Sequence, residues 1–464
     1  MSVRAQNRYP SGHVFYRRLK RSYPRIVRGE GCWLYDENGK RYLDACGGAL
    51  VNNLGHGNVE LAKAVGEQAA RLAYVNGTAF THDAVEELAA ELARLSPGRL
   101  DKTLFLCNGS DAVEASLKIA RQFWAESGRP EKRKIVALSP SYHGGSLLAL
   151  SASARAHYKA VFRDWLVDVR TVPASYPYRC DCRGESDECP SCNGDSLEEA
   201  LLQEGPESVA AFIAEPVGGS STGASVPLPG YWKTVRDICD RHEVLFIADE
   251  VLVGAGRTGT WSALEPYGAA PDFHIFGKGI TSGYAPLSAM MTSRKITDVL
   301  AKGSGAPLHN QTFSQFPVSC AAGLATLRYI ETHGLIERAR LMGELLHERL
   351  RSLLAHPQVG DIRGRGLLAG IELVEDKTTR KPFDRRVQMV ETLTEKAQEA
   401  GLVVWPNSGH ADGTNGDLVM IGPPFIITEE EISEAIRLFR IALDATMRTI
   451  KDRANDSQPA KEGP

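Results

Sequence analysis

The sequence predicts an α/β protein with a large, mostly parallel sheet domain flanked by helices and a smaller α+β domain. Three observations carry this expectation. Residues 103–107, 135–138, 209–214, 245–248 and 273–276 are short apolar runs without polar alternation, the pattern of strands buried on both faces of a parallel sheet. Segments of helical period separate several of them, as crossovers between parallel strands require. The 464 residues, 43% hydrophobic, are enough to bury more than one core, so the chain should divide into lobes with room for a small molecule between them.

From the N-terminus, residues 1–70 are expected to belong to the small domain. Cys32-Trp33-Leu34-Tyr35 and Arg41-Tyr42-Leu43-Asp44 flank the turn Asp36-Glu37-Asn38-Gly39, a strand-turn-strand pattern. Gly47-Gly48 and Gly55-His56-Gly57 fit either plain turns or a close approach of backbone to a ligand or a second chain. Leu61, Val65 and Leu72 begin one helical period and Val85, Leu88, Leu92 and Leu95 a second.

The large domain is expected over 71–334. The run 103–107 leads through Asn108-Gly109-Ser110-Asp111 into a helix over 112–125, and 135–138 is followed by Tyr142-His143-Gly144. The run 209–214 ends in Glu215-Pro216, and a helix over 231–242 leads into 245–248. Residues 286–291 read as a further strand, 311–314 as a loop and 318–330 as a helix. The rest of the small domain is expected over 335–450, opening with a long amphipathic helix over 335–354 and continuing from Gly360 as mixed strands and helices. Thr428 and Glu431 form a capping box for a last helix, whose Ile432, Ile436, Phe439 and Leu443 make one apolar stripe. The polar residues 451–464 are expected to be a disordered tail.

A net charge of −3 gives no electrostatic reason for a nucleic-acid or anionic-membrane partner. The basic run Arg17, Arg18, Lys20, Arg21 and Arg25 reads as a solvated face. No apolar stretch approaches the roughly 20 residues that span a bilayer, and the N-terminus carries no apolar signal region. A cytosolic protein is expected. Nine cysteines, mostly scattered in apolar surroundings such as Cys46, Cys107, Cys239 and Cys320, suit reduced thiols rather than a disulfide framework. The loop 171–195 also carries Cys180, Cys182, Cys189 and Cys192, which four-thiolate zinc binding would suit. Their spacing is not that of a standard zinc ribbon and no strands hold them, so an insertion with reduced thiols and no metal is expected.

The residues that carry chemistry lie between 245 and 279. Asp249 and Glu250 stand at the C-terminal end of one buried strand, the edge where open α/β sheets bind ligands. A carboxylate there can meet a cationic ring nitrogen, although strand-terminal acids also serve as helix caps and surface ion pairs. The run 273–276 delivers Lys278 between two glycines. A lysine among apolar neighbours loses hydration, its pKa falls, and the free amine becomes available for Schiff-base chemistry. A carboxylate and a lysine on neighbouring strand ends are the pair that pyridoxal phosphate chemistry uses. Asn108-Gly109-Ser110-Asp111 before a helix fits an anion cradle suited to phosphate or an ordinary N-cap. Tyr142, beside Gly144, can cover the face of a planar cofactor.

The chain resembles the class III aminotransferases, in the fold type I group of pyridoxal phosphate enzymes, over nearly its whole length. The match rests on Leu245-Phe246-Ile247-Ala248-Asp249-Glu250-Val251, Gly256-Arg257-Thr258-Gly259 and Phe276-Gly277-Lys278-Gly279. The resemblance implies that Lys278 carries the cofactor as a Schiff base and that Asp249 pairs with its ring nitrogen. It implies that Val251 and Tyr142 sandwich the ring beside His143, and that Gly109 and Ser110 hold the phosphate with Thr312 from a neighbouring subunit. A homodimer with shared active sites would follow. Two departures bear on substrate. Where ornithine- and γ-aminobutyrate-type members carry a carboxylate-binding arginine and its masking glutamate, this chain has Met420 and Ser220, and Asp111 stands in place of the usual glutamate. Residues 405–410 resemble the ω-amine branch, with Arg363, Arg365 and His410 as candidate carboxylate partners. The expected activity moves an amino group from an ω-amine or ω-amino acid to a small 2-oxo acid such as pyruvate. A decarboxylase, an aminomutase, or a binding protein using the cysteine loop are the alternatives.

Overall fold

A computed structural model describes residues 12–96, 100–182 and 189–456. Near the N-terminus, β1 (Ile26–Glu30), β2 (Trp33–Asp36) and β3 (Arg41–Asp44) form an antiparallel ribbon. The central strands are β4 (Lys102–Leu106), β5 (Lys134–Ser139), β6 (Arg170–Pro173), β7 (Val209–Ala214), β8 (Leu245–Asp249), β9 (Phe273–Phe276) and β10 (Ser288–Thr292). Toward the C-terminus come β11 (Val359–Gly364), β12 (Ala369–Leu373), β13 (Leu402–Val403), β14 (Trp405–Ser408) and β15 (Asp417–Ile421).

The seven central strands form one sheet in the order β4-β10-β9-β8-β7-β5-β6. The pairs from β9 through to β6 are parallel, and β10 runs antiparallel to both its neighbours. The unalternating apolar runs have their cause here, because each face of the sheet is covered. Leu245 and Ile247 of β8 join a core beneath the helix Gly109–Glu126, whereas Phe246 and Ala248 of the same strand join another around Trp232 and Ile238. All five residues of β8 are buried.

The two ends of the chain share one core. Leu43 and Ala45 pack in the same cluster as Leu346, Ile371, Leu393, Leu402 and Phe439, and β13 extends the N-terminal ribbon by pairing parallel to β3, Leu402 opposite Leu43. The last helix, Glu429–Asp456, begins with the expected capping box: Glu431 N–H donates to Thr428 Oγ1 (3.2 Å) and Thr428 N–H to Glu431 Oε2 (3.0 Å).

Several boundaries differ from the sequence-based expectation. The helix after β4 starts at Gly109, one turn earlier, because Asn108 caps it by accepting from Asp111 N–H at 3.1 Å. The helix from Leu335 ends at Leu350 and tightens into a 3-10 turn over Arg351–Ala355, as last turns often do. The loop 171–195 contains a short strand and the helical turn Pro190–Asn193. The final helix runs through 456, so 451–456 are not part of a tail; Lys451, Arg453 and Ala454 are good helix formers that need no buried face. The remainder of the expected tail lies outside the described residues.

Candidate active site

The C-terminal ends of β8 and β9 open into a cavity of about 710 Å³. Its walls include Leu50 and Val51 from the N-terminal segment, Gly109, Ser110, Tyr142 and His143 from the connections after β4 and β5, and Trp405 from β14. Asp249, Val251 and Lys278 line it from the central sheet.

Lys278 follows β9 directly, in the 3-10 turn Lys278–Ile280. Its φ of +43° is a strained choice for a residue with a side chain, and such choices persist where surrounding structure fixes them. Burial pushes its amine down to about 8, against the upward pull of Asp249 and Glu215. Depressed basicity alone does not mark a reactive lysine. Lys132 is also brought down to about 8 by burial, yet its ammonium is capped by the carbonyls of Pro206 (3.0 Å), Val209 (3.1 Å) and His242 (3.3 Å). Only the Lys278 amine of this pair lines the cavity.

Asp249 is 5% exposed. One carboxylate oxygen lies 2.7 Å from His143 Nδ1 and the other accepts from Val251 N–H at 3.1 Å. A carboxylate accepts only, so His143 carries its proton on Nδ1, and its buried Nε2 has no hydrogen-bond partner among the described residues. His143 therefore orients Asp249 from behind. Glu250, the adjacent acid, serves the structure instead. It accepts from Ser262 Oγ (2.6 Å) and Ala263 N–H (2.8 Å) and sits 3.2 Å from His274.

Val251 is wedged between two glycines. A Cβ on Gly109 would fall 2.9 Å from Val251 Cγ1, and one on Gly277 would fall 3.1 Å from it, so both positions exclude a larger residue while this side chain fills the gap. With Asn108 holding Asp111 N–H, the first N–H groups of the helix, on Gly109 and Ser110, point out of its positive end. Ser110 Oγ accepts from Gly145 N–H at 3.0 Å, which leaves the hydroxyl proton to donate. Asn108 is thus a cap, and its neighbours form a cradle for an anion. Asp111 bonds the cap amide at 2.6 Å.

Tyr142 is 39% exposed, and its N–H donates to Glu215 Oε2 at 3.0 Å. Burial raises the Glu215 carboxyl, opposed by His143. Thr312 lies outside this cavity in its own chain; it is exposed, and its carbonyl accepts from Tyr74 Oη at 3.1 Å.

The substrate side departs most from the sequence-based picture. Met420 does not reach the cavity: from β15 it enters an apolar cluster with Leu50, Val217, Val253 and Leu418. Arg363, Arg365 and His410 do not line it either. Arg363 bonds Thr222 O (2.7 Å), Asp361 (2.7 Å) and Tyr176 Oη (2.6 Å), and lies 2.8 Å from Glu372. His410 lies 3.1 Å from the same glutamate, and Arg365 stands over the Tyr267 ring. A different cation faces the cavity. Arg155 donates to Ser220 Oγ (2.5 Å) and Ser221 Oγ (3.0 Å) and stacks 4.9 Å from the Tyr142 ring centre. Burial lowers its pKa. Sequence reasoning missed it because Ser-Ala-Ser-Ala-Arg-Ala has no period or motif; the one hint was Ser220, where a masking acid was expected.

A sheet-edge lysine of depressed basicity, a buried carboxylate and a helix-end anion cradle around one cavity define a pyridoxal phosphate enzyme of fold type I. Comparison with known proteins narrows this. The family model for aminotransferase class-III matches residues 16–443, and the chain belongs to that family as a pyridoxal phosphate-dependent transaminase. It is 35% identical to the uncharacterized aminotransferase YodT of Bacillus subtilis, covering 95% of this chain and 99% of that protein. It is 34% identical to the putrescine–pyruvate aminotransferase of Pseudomonas aeruginosa over 94% of each. The ω-transaminase of Pseudomonas jessenii, solved with PMP, superposes with a TM-score of 0.86 at 33% identity, covering 93% of this chain and 94% of that one.

The neutral amine of Lys278 is the nucleophilic form, and with its pKa near 8 that form falls tenfold for each pH unit below 8. The rate of Lys278 addition to an aldehyde, followed by absorbance on the apoenzyme, is expected to climb to about pH 8 and level off above it. A rate still climbing toward 10.5, the ordinary lysine value, would contradict the environment described.

Proposed function

We propose that the enzyme moves an amino group from an ω-amine or long-spacer ω-amino acid to a small 2-oxo acid such as pyruvate. The observation that carries this reading is Arg155, a cavity-facing cation held by two serine hydroxyls and a tyrosine face rather than by a carboxylate. A 2-oxo acid can take this guanidinium by displacing weak neutral partners, whereas a glutamate mask would have to be broken first. An amine donor leaves Arg155 on the serines and lays its arm along Leu50, Val51, Phe162 and Trp405. The activity for which the Pseudomonas aeruginosa relative is named, putrescine with pyruvate, supports the same pairing.

In this reading pyridoxal phosphate, when bound, supplies the electron sink for the substrate carbon. Lys278 provides the amine that holds it and afterwards carries the proton off and back onto the reacting carbons. Asp249, oriented by His143, is the partner that keeps a ring nitrogen protonated. Gly109 and Ser110 receive the phosphate, and Tyr142 and Val251 take the two ring faces. Thr312, exposed beside Phe313, which is 52% exposed, would complete the phosphate site of a second copy, making the working unit a homodimer.

The test is a donor series with pyruvate fixed, read by alanine formation. Donors with a long apolar spacer are expected to exceed ornithine and glutamate by at least about tenfold in kcat/KM, which needs only about 1.4 kcal/mol of discrimination. Arg155→Leu is expected to raise KM for pyruvate about 10- to 100-fold, the worth of a charge-assisted hydrogen-bond pair, with the amine half-reaction within about threefold. Ornithine or glutamate as the best donor, or an unchanged KM for pyruvate, would contradict this reading.

A further inference from the structure

The four cysteines of the loop after β6 are brought together by the fold. The Sγ atoms of Cys180, Cys182, Cys189 and Cys192 all lie within 4.8 Å of one another. Three of the separations are 3.4 Å (Cys180 to Cys189), 3.3 Å (Cys180 to Cys182) and 3.3 Å (Cys182 to Cys192). None is a disulfide, which would hold its sulfurs about 2.05 Å apart. They approach the edge of a tetrahedron of thiolates around zinc, which at a metal–sulfur distance of about 2.3 Å is about 3.8 Å. We propose that these four side chains form a structural zinc site.

The local fold builds the site in the way a closed structural centre requires. Cys189 sits at the N-cap of the turn Pro190–Asn193, and the N–H groups of Cys192 (2.9 Å) and Asn193 (3.0 Å) both donate to its carbonyl. This aims Sγ of Cys189 and Cys192 to the same side. Gly194, at φ +100°, then turns the chain onto the helix Tyr231–Arg241, where its Cα faces Val235. Cys192 is fully buried and the other three are half-buried. The donor set is sulfur alone, which selects zinc over magnesium or calcium. Four protein ligands leave no open position, so the metal has no place for substrate. Each thiol gives up its proton as it binds, four protons per metal, and no electron is transferred.

The location says what the centre braces. Just before Cys180, Tyr176 Oη donates to Glu372 at 2.5 Å and Arg179 Nε to the same carboxylate at 2.6 Å. Arg179 also bonds the Arg380 carbonyl at 2.6 Å. One side of the four-sulfur cluster is therefore tied to β12 and the hairpin after it, and the other to the helix packed on the central sheet. Zinc would pin a strap joining the C-terminal strands to the large sheet. The expectation of a metal-free loop rested on spacing and on missing strands; the turn Pro190–Asn193 and its packing supply the rigidity that strands would have given.

Metal binding at this cluster is independent of the substrate reading, and its test reads metal rather than turnover. Full-length holoenzyme made in zinc-supplemented medium is expected to carry about one zinc per chain by mass-spectrometric metal analysis. The Cys189→Ser/Cys192→Ser variant is expected to lose the zinc and melt roughly 5–10 °C lower, while keeping the absorbance of the cofactor on Lys278. Should that variant fail to fold, reduced, demetallated wild-type enzyme titrated with cobalt(II) should give the intense visible bands of a tetrahedral thiolate complex, saturating at one equivalent. Absence of both stoichiometric zinc and the cobalt bands would overturn the proposal, as would disulfides among these four in the intact protein. Iron at one per chain would overturn the assignment to zinc.

Discussion

Lys278→Ala is expected to lower the steady-state transamination rate by about 10³–10⁴-fold, the upper range for loss of a general acid–base group, because in the proposed function the same residue would also supply the covalent amine. Among the described residues Lys278 is the lysine that lines the cavity; Lys132, equally depressed in basicity, is 0% exposed and held by three carbonyls. Lys278→Arg should lose as much, since a guanidinium keeps the charge but is not a nucleophile. Cofactor binding through the Gly109–Ser110 helix end should survive in weakened form, so equilibrium dialysis separates a dead site from an unfolded one. A Lys278→Ala enzyme retaining a tenth of normal turnover would reject the assignment.

Asp249→Asn should cost about 10²–10³ in kcat. At 3–4 Å and an effective dielectric near 20, a carboxylate and a unit cation attract by about 4–5 kcal/mol, an upper bound because part was spent in desolvating both. An amide keeps the shape: its oxygen can still accept from Val251 N–H, and its NH2 can donate to His143 Nδ1 once that ring carries its proton on Nε2, so the fold should hold and Tm should move little. The loss should fall on kcat more than on KM, since the charge is needed where electrons flow toward the ring. His143→Gln, which alters the side chain bonded to Asp249, should give a smaller loss in the same direction. An Asp249→Asn enzyme with near-normal kcat would show that the ring nitrogen needs no anionic partner here.

The large sheet was legible because strands buried on both faces have no freedom in composition: Phe246 and Ile247 point to opposite faces and both need apolar surroundings. The cavity's lining was legible where side chains leave strand ends, hence Asp249 and Lys278, which the fold brings to one cavity. What escaped was set by contacts between distant parts of the chain. His143 meets Asp249 across 106 positions, and Arg155 meets Ser220 across 65; no local pattern encodes either. Met420 misled for a related reason: its place in the sequence suggested the pocket, but its register in β15, opposite Gly370 and Trp405, turns it into an apolar cluster. The meeting of the four cysteines of the loop escaped because ligand spacing records only how the chain could fold around a metal, whereas the sulfur cluster depends on how the loop packs. The antiparallel direction of β10 was invisible because an apolar run reads the same either way.

The most direct test of the central claim is chemical. Holoenzyme at neutral pH is treated with sodium borohydride, digested, and its peptides mapped by mass spectrometry. One pyridoxyl phosphate group per chain is expected, on the peptide containing Lys278 and absent from that containing Lys132, with loss of activity in proportion to labelling. Label on any other lysine, or cofactor released intact after reduction, would contradict the assignment of Lys278.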